Sequence, residues 1–176
     1  MSLKELTQEK HTEAEQTAFA ALLLSGNISK DQYAKYLYQM LLIYNSLEVA
    51  AHKLGLLAEL PDLRRSPNIY LDLTELVGKN YNCGWVPAAV EYHKYLLSLA
   101  EESDSNKIMA HIYVRHMGDL YGGQMIKQKV PGSGKFYDFK DPAGLKSLIR
   151  SKLDHSMGDE ANVAFDHAIK IMRALG

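Results

Sequence analysis

The sequence predicts an all-α fold, a single-domain helical bundle that covers residues 1–176. Apolar residues recur at three- and four-residue steps along most of the chain, and the stripe from Tyr33 to Ala51 is one example. Residues that can cap a helix stand at the start of several of these stretches. No segment alternates apolar and polar residues as a half-buried strand would. A chain of 176 residues is also long enough to bury a sizeable core.

Capping patterns define the predicted helices. Ser2 and Glu5 form a capping box for a first helix that we expect to reach about Leu24. Ser29 and Gln32 form a second box, for a long helix ending near Gly55. Further helices are expected over residues 69–77, 87–99, 106–129, 142–155 and 159–175. The segment 130–134 reads as a loop, and the aromatic residues after it, Phe136, Tyr137 and Phe139, are expected to pack against the bundle.

Composition narrows the class of protein. A net charge of -1 gives no reason to expect a nucleic-acid partner. The single cysteine, Cys83, excludes an internal disulfide and indicates a reducing compartment. No apolar run approaches the ~20 residues of a membrane span, and the first ten residues are too charged for a signal peptide. We therefore expect a soluble, cytoplasmic protein with no membrane partner.

Three glycines fall inside the predicted helix 106–129. Each interior glycine costs roughly 1 kcal/mol relative to alanine, so Gly118, Gly122 and Gly123 together cost about 3 kcal/mol. Gly118 and Gly122 share one helix face, and Gly123 widens the bare area beside the carboxylate of Asp119. This pattern favours a flat strip for a broad planar ligand. The alternative is a close crossing between two helices.

His11 is the best-placed histidine for ligating a heme iron. Glu15 lies one turn later, where a carboxylate can accept the other ring N–H and orient the imidazole. The alternative is a surface histidine with an incidental partner. His111 and His116 are five residues apart, so they are expected to point in different directions, and no paired metal motif is present.

Charged residues one turn apart occur twice more. Arg115 and Asp119 could form a solvated ion pair or, beside the glycines, a polar corner able to hold water. Lys146 and Arg150 repeat the spacing, and Lys4 adds a cation near the start. These cations would suit a ligand that carries carboxylates, although a solvated face is the ordinary interpretation.

Two motifs resemble those of heme oxygenases. One is His11-Thr-Glu-Ala-Glu15 together with Phe19, and the other runs from Tyr113-Val-Arg-His-Met-Gly-Asp-Leu-Tyr to Gly-Gly-Gln124. The likeness continues through Leu145–Lys152 and weakly to the end, so it covers nearly the whole chain. Both elements in this order and separation are highly specific to the family.

The resemblance implies a heme oxygenase bundle in which heme lies between the first helix and a glycine-kinked distal helix. His11 would be the axial ligand of the heme iron, with Glu15 as its hydrogen-bond partner. The backbone at Gly118, Gly122 and Gly123 would lie on the porphyrin.

The resemblance also assigns the polar groups. Asp119 would organise the distal water network, with support from Tyr44 and Arg115. The heme propionates would be held by Lys4, Tyr113, Lys146 and Arg150. Three residues depart from the family pattern: Tyr121, where a small serine-like residue is usual, Gln8 and Ile149.

The implied activity is oxidative cleavage of heme. Heme b would be both cofactor and substrate, consumed with O2 and an external reductant to give biliverdin (the IXα isomer by default), carbon monoxide and ferrous iron. A soluble donor such as ferredoxin is the expected partner, with a bilin reductase downstream. Two alternatives stay open, a heme carrier or sensor without turnover and a helical bundle without a cofactor.

Overall fold

The computed structural model describes residues 1–176 as nine α-helices and two short 3-10 helices, with no strand, which confirms the predicted all-α class. The α-helices are α1 (Leu3–Glu15), α2 (Ala18–Ser25), α3 (Lys30–Lys53), α4 (Leu56–Glu59), α5 (Ser66–Val77), α6 (Pro87–Glu101), α7 (Ser105–Lys127), α8 (Pro142–Ser151) and α9 (Gly158–Leu175). The 3-10 helices are η1 (Lys135–Tyr137) and η2 (His155–Met157).

Two helices organise the bundle. The apolar stripe of α3 is fully buried, and this helix packs against α4, α5, α6 and α7. The last helix, α9, packs against α1, α2, α6 and α7. One continuous hydrophobic core extends from Leu3 on α1 to Ile171 on α9. None of the helices is both long enough and apolar enough to cross a membrane.

Helix α3 has the limits that its caps predict. The Ser29 hydroxyl accepts a hydrogen bond from the Gln32 N–H, and the Gln32 side chain accepts one from the Ser29 N–H. The helix ends at Lys53, and Gly55 follows with a φ of 77°, a left-handed conformation that glycine adopts without strain.

The prediction of one helix from Ser2 to about Leu24 was wrong. The Ser2 cap is present, accepting from the Glu5 N–H at 3.2 Å, but α1 ends at Glu15. Thr17 is extended, and its hydroxyl accepts a hydrogen bond from the Ala20 N–H that starts α2. A threonine side chain can compete with the helical hydrogen-bond pattern in this way, and apolar periodicity does not register it.

Other boundaries differ because contacts between distant residues set them. Helix α5 begins three residues before its predicted start at Ile69, since the buried Glu48 carboxylate on α3 accepts hydrogen bonds from the N–H groups of Arg65 and Ser66. Helix α8 stops at Ser151, four residues before its predicted end, and Asp154 then caps η2. Helix α4 was not predicted, because four residues are too few to show a period.

The aromatic segment after α7 packs inside the bundle, as predicted. Phe136 and Tyr137 are buried with their rings stacked 4.4 Å apart. The buried Arg65 guanidinium donates to the carbonyl of Phe136, and the Asp72 carboxylate accepts from the N–H groups of Lys135 and Phe136. These bonds hold η1 against α5, and the Gln124 side chain of α7 donates to the carbonyl of Tyr137, so η1 also contacts the glycine-containing helix.

Candidate functional site

One face of α7 is exposed and apolar. Gly118, Tyr121, Gly122 and Met125 follow one another at helical spacing, and none of the four carries a charge. Tyr121 is 53% exposed and Met125 is 63% exposed. The opposite side of the helix is buried in the core, so α7 is apolar on both sides. An exposed apolar helix face of this kind is typical of a binding surface.

Gly118 and Gly122 have open space where a side chain would lie. A Cβ built at either position has no heavy atom within 4 Å, apart from the two adjacent residues and the backbone of its own helix. No packing contact therefore requires glycine at either position, although each costs about 1 kcal/mol in a helix. A close helix crossing therefore does not explain these two glycines.

Gly123 is different, and its expected place on the bare strip needs correction. It is buried, and a Cβ there would lie 2.4 Å from Cδ1 of Tyr137 and 3.1 Å from Cγ. The missing side chain makes room for the ring of η1, so packing within the bundle accounts for this glycine. Helix α7 passes through all three glycines as one continuous α-helix.

The polar corner beside this face joins α7 to α3. The Tyr44 hydroxyl donates a hydrogen bond to Oδ2 of Asp119, and the Tyr44 ring is fully buried. The Arg115 guanidinium carbon lies 5.3 Å from the centroid of the same ring. The structure thus brings Tyr44 of α3 together with Arg115 and Asp119 of α7. In the sequence, Arg115 and Asp119 are one helical turn apart, whereas Tyr44 is 75 positions from Asp119.

Arg115 and Asp119 do not form the ion pair that their spacing allows. One guanidinium nitrogen of Arg115 lies 2.8 Å from Sδ of Met40, and the side chain turns over Tyr44 instead of reaching the carboxylate. Its Nε is buried and has no acceptor within the chain. This free donor fits a corner that holds water or a ligand atom better than it fits a solvated pair.

Burial raises the pKa of Asp119 to about 7. The charge of Arg115 and the hydrogen bond from Tyr44 both favour the ionised carboxylate, but loss of hydration outweighs them. A carboxyl group with a pKa near neutrality can hold or release a proton at working pH.

His11 and Glu15 form the contact expected from their spacing on α1. Nε2 of His11 lies 2.8 Å from Oε1 of Glu15, and the His11 side chain is 49% exposed. The imidazole also stacks on Phe165 of α9, with ring centroids 5.6 Å apart. With one nitrogen engaged and one face of the ring supported, the other nitrogen stays free for a ligand.

Helix α9 connects the two parts of the site. It packs against both α1 and α7. At its start the Asn162 side chain donates to the carbonyl of Leu6, and Gly158 leaves room for the Leu6 side chain 3.0 Å from its Cβ position. The helix thereby fixes the histidine-bearing helix relative to the glycine-bearing one.

The cations of α8 meet a residue of α7. Nζ of Lys146 lies 4.1 Å from the centroid of the Tyr121 ring, and Cζ of Arg150 lies 5.4 Å from it. Neither cation forms an ion pair with a carboxylate of the chain. Lys4 is exposed on α1, and Tyr113 is partly buried against the core. The grouping of Lys4 and Tyr113 with α8 stays a prediction.

Sequence reasoning missed a buried polar cluster beside Arg115. The His111 Nε2–H donates to the Glu160 carboxylate at 2.7 Å, and Nδ1 accepts from the Tyr92 hydroxyl at 2.7 Å. Burial lowers the pKa of His111, which keeps the ring neutral. His116 points elsewhere, to the carbonyl of Leu63. No sequence signal identified Glu160 or Phe165, because their partners lie on other helices.

No group of three or more histidine, cysteine, aspartate or glutamate side chains could hold a bare metal ion.

Sequence and structure comparisons agree on one family. The sequence model named heme oxygenase matches residues 1–174. Heme oxygenase 2 of Synechocystis sp. is 29% identical over 89% of this chain and 71% of its own length. Heme oxygenase 2 of Macaca fascicularis is 28% identical over 98% of this chain, which spans only 64% of that longer protein.

Solved structures give the same result. Heme oxygenase-1 from Synechocystis sp., a complex with heme, superposes with a TM-score of 0.87 at 26% identity and covers 98% of this chain and 90% of its own. Heme oxygenase from Leptospira interrogans also has a TM-score of 0.87, at 27% identity, covering 99% of this chain and 100% of its own. The chain belongs to the heme oxygenase family.

Proposed function

We propose that this protein is a heme oxygenase that cleaves heme b with O2 and external electrons, releasing biliverdin IXα, carbon monoxide and ferrous iron. The observation that carries the proposal is the bare, exposed, apolar face of α7 beside the buried Tyr44–Asp119 hydrogen bond. A flat apolar ligand is what such a face can bind, and an acidic group at its edge gives that ligand a source of protons.

The exposed face of α7 fits a porphyrin ring. Gly118 and Gly122 together cost the helix about 2 kcal/mol with no compensating contact in the chain. Covering apolar surface contributes about 25 cal/mol per Å², so about 80 Å² of apolar surface covered by the ring would offset that cost. Because glycine has no side chain, a planar group can approach the backbone of α7 more closely at Gly118 and Gly122 than it could at any other type of residue.

His11 and Glu15 are suited to axial ligation of the heme iron. A neutral imidazole binds iron through one nitrogen while its other N–H is held by a carboxylate or carbonyl. His11 and Glu15 supply that pair, and Phe165 limits rotation of the imidazole. When bound, heme supplies the iron that binds and reduces O2 and the ring carbon that becomes oxidised.

The residues around α7 govern protons. Gly118 and Gly122 carry no acid or base, so a ring on this face would meet neither there, and Asp119, held by Tyr44, would be the acid beside it. Its pKa of about 7 allows it to pass a proton through bound water at neutral pH. The buried Arg115 Nε supplies a donor that can order such water. Together these groups would deliver protons through water, without an acid or base side chain of α7 bonded to the iron.

The carboxylate-bearing edge of heme requires cations. Lys146 and Arg150 are free of internal ion pairs and flank the exposed face of α7. We propose that they bind the propionates, with Lys4 and Tyr113 completing the set. Anchored propionates fix the rotation of the ring in its plane, and so choose the meso carbon that reacts.

Electrons and product handling involve other proteins. With one cysteine, the chain cannot supply the four thiolates of a typical iron–sulfur cluster. We propose a soluble donor of the ferredoxin type and a bilin reductase that consumes the product in the cytoplasm.

The test begins with hemin titration followed by visible spectroscopy. We expect a shifted Soret band at one equivalent of hemin. Ferredoxin with its reductase is then compared with a flavoprotein reductase, and catalase is added to exclude attack by free peroxide. Biliverdin isomers are identified by chromatography. A shifted Soret band without biliverdin from any donor would support the heme carrier, and a Soret band that stays at the position of free hemin would support a bundle without a cofactor.

A further inference from the structure

We infer that Tyr121 is a positioning residue that sets the in-plane orientation of heme. It would do so by holding the propionate-binding cations, Lys146 and Arg150, at the edge of the exposed face of α7 that carries Gly118 and Gly122, which we call the glycine face. The inference rests on the proposed function. It adds a residue for which the spacing and motifs of the sequence gave no role.

Tyr121 lies between the glycine face of α7 and the two cations of α8. It shares the exposed face of α7 with Gly118 and Gly122, one residue before Gly122 and three after Gly118. Its ring leaves this face toward α8, where Lys146 and Arg150 both approach the ring, at 4.1 Å and 5.4 Å from its centroid. One aromatic side chain therefore connects the bare surface to both cations.

The two cations have no other anchor. Neither forms an ion pair within the chain, and both side chains are long and flexible, so each would lose much rotamer freedom on binding a carboxylate. Their helix is fixed, because Leu145 and Ile149 are buried in the core. Attraction of a cation to an aromatic face restricts the cationic end while leaving its N–H donors available. Tyr121 thus reduces the entropy cost of binding the propionates.

The ring also limits where those cations can be. With Lys146 and Arg150 drawn toward Tyr121, positive charge is concentrated at the α8 side of the glycine face. A ligand with carboxylates on one edge then has one favoured rotation on that face. Without the ring, the cationic ends sample a wider area and the preference weakens.

The test compares Tyr121→Leu with Tyr121→Phe. Phenylalanine keeps the aromatic face and removes only the hydroxyl, so it is the matched control. We expect Tyr121→Leu to weaken hemin binding about fivefold in a Soret titration and Tyr121→Phe to change it less than about twofold. Hemin dimethyl ester, which lacks the carboxylates, should bind wild type and both variants alike. Equal loss of hemin and ester affinity in Tyr121→Leu would show ring packing alone and overturn the inference.

Orientation gives a second readout that does not need turnover. In the ferric cyanide complex, the heme methyl proton resonances report the ratio of in-plane orientations. We expect a mixed population in Tyr121→Leu and a wild-type ratio in Tyr121→Phe. In a Lys146→Gln/Arg150→Gln background, Tyr121→Leu should add no further effect on affinity or orientation.

The outcomes separate the inference from the proposed function. If wild type fails to bind hemin, the proposed function is wrong. If wild type binds hemin but Tyr121→Leu keeps its affinity and its orientation ratio, the positioning role is wrong and the proposed function stands. An additive effect of Tyr121→Leu in the background without the two cations would also overturn the positioning role.

Discussion

The Tyr44 hydroxyl donates a hydrogen bond to the Asp119 carboxylate across the contact between α3 and α7. The two residues are 75 positions apart in the chain, and Tyr44 lies in the fully buried stripe of α3. The position of the carboxyl group is therefore set by the packing of the bundle. The Tyr44 hydroxyl holds Asp119 beside Gly118 in the structure without a ligand, and this placement supports the proposed role of Asp119 in proton delivery.

Asp119→Ala should abolish most turnover while sparing heme binding. Asp119 is not expected to contact the iron, so the hemin spectrum should stay close to that of wild type. Loss of general acid assistance should lower the rate of biliverdin formation by about 10²-fold. Single-turnover spectroscopy measures both quantities. Asp159→Ala, at an exposed carboxylate of α9, is the control. Wild-type turnover in Asp119→Ala would remove this residue from the proposed mechanism.

Asp119 should also make stability depend on pH. Burial raises its pKa from 3.8 to about 7, so the folded state binds this proton more tightly than the unfolded state does. As pH rises from about 4 to about 7, this group should therefore lower the free energy of unfolding by on the order of 2–4 kcal/mol. Below and above this window its contribution should be constant.

Asp119→Asn removes the titration and isolates the effect. The unfolding free energy of the variant minus that of wild type should increase across the same pH window, because other groups cancel in the difference. Urea unfolding of the protein without heme at pH 4.5, 5.5, 6.5 and 8 measures it. A difference that does not vary with pH would contradict the raised pKa.

The glycines of α7 should respond to alanine in opposite ways. Gly118→Ala and Gly122→Ala meet open space, so each should stabilise the protein without heme by about 0.5–1 kcal/mol through helix propensity. Each should also weaken hemin binding by about tenfold, because the added methyl group occupies the porphyrin face. Gly123→Ala should destabilise the fold by about 1–3 kcal/mol, since its Cβ would collide with Tyr137.

Thermal unfolding with and without hemin separates these effects. Gly123→Ala serves as the internal control, because its loss of stability should appear equally in both states. If Gly118→Ala and Gly122→Ala both bound hemin as tightly as wild type, the exposed face of α7 would not be the porphyrin site.

His11→Ala should weaken heme binding and remove the spectral features of a histidine-ligated heme iron. The imidazole is half exposed, with Glu15 and Phe165 as its ion-pair and ring partners, so its removal should leave the fold intact. Turnover should be largely lost and partly restored by added imidazole, which can occupy the vacated space. Ferric heme spectra and biliverdin yield with and without imidazole provide the measurement. His52→Ala, at an exposed position on α3, is the control. An unchanged spectrum in His11→Ala would exclude His11 as the ligand.

Most helices could be predicted from the sequence because their determinants are local. The Ser29–Gln32 cap and the apolar stripe of α3 lie within a few residues of the structure they specify. The start of α5 could not be predicted, because the carboxylate that caps it belongs to Glu48 of another helix. The break at Thr17 was missed because a threonine can either continue a helix or cap one.

The candidate site divides in the same way. By itself the sequence determined the His11–Glu15 pair, the shared face of Gly118 and Gly122, and the spacing of Lys146 and Arg150, since each follows from the repeat of a single helix. Only the tertiary structure decided that Gly123 serves packing, that Tyr44 and not Arg115 bonds Asp119, and that Tyr121 collects the cations of α8. Each of those contacts joins two elements, and the distance between side chains on different elements is set by how the helices pack, which no pattern within one helix records.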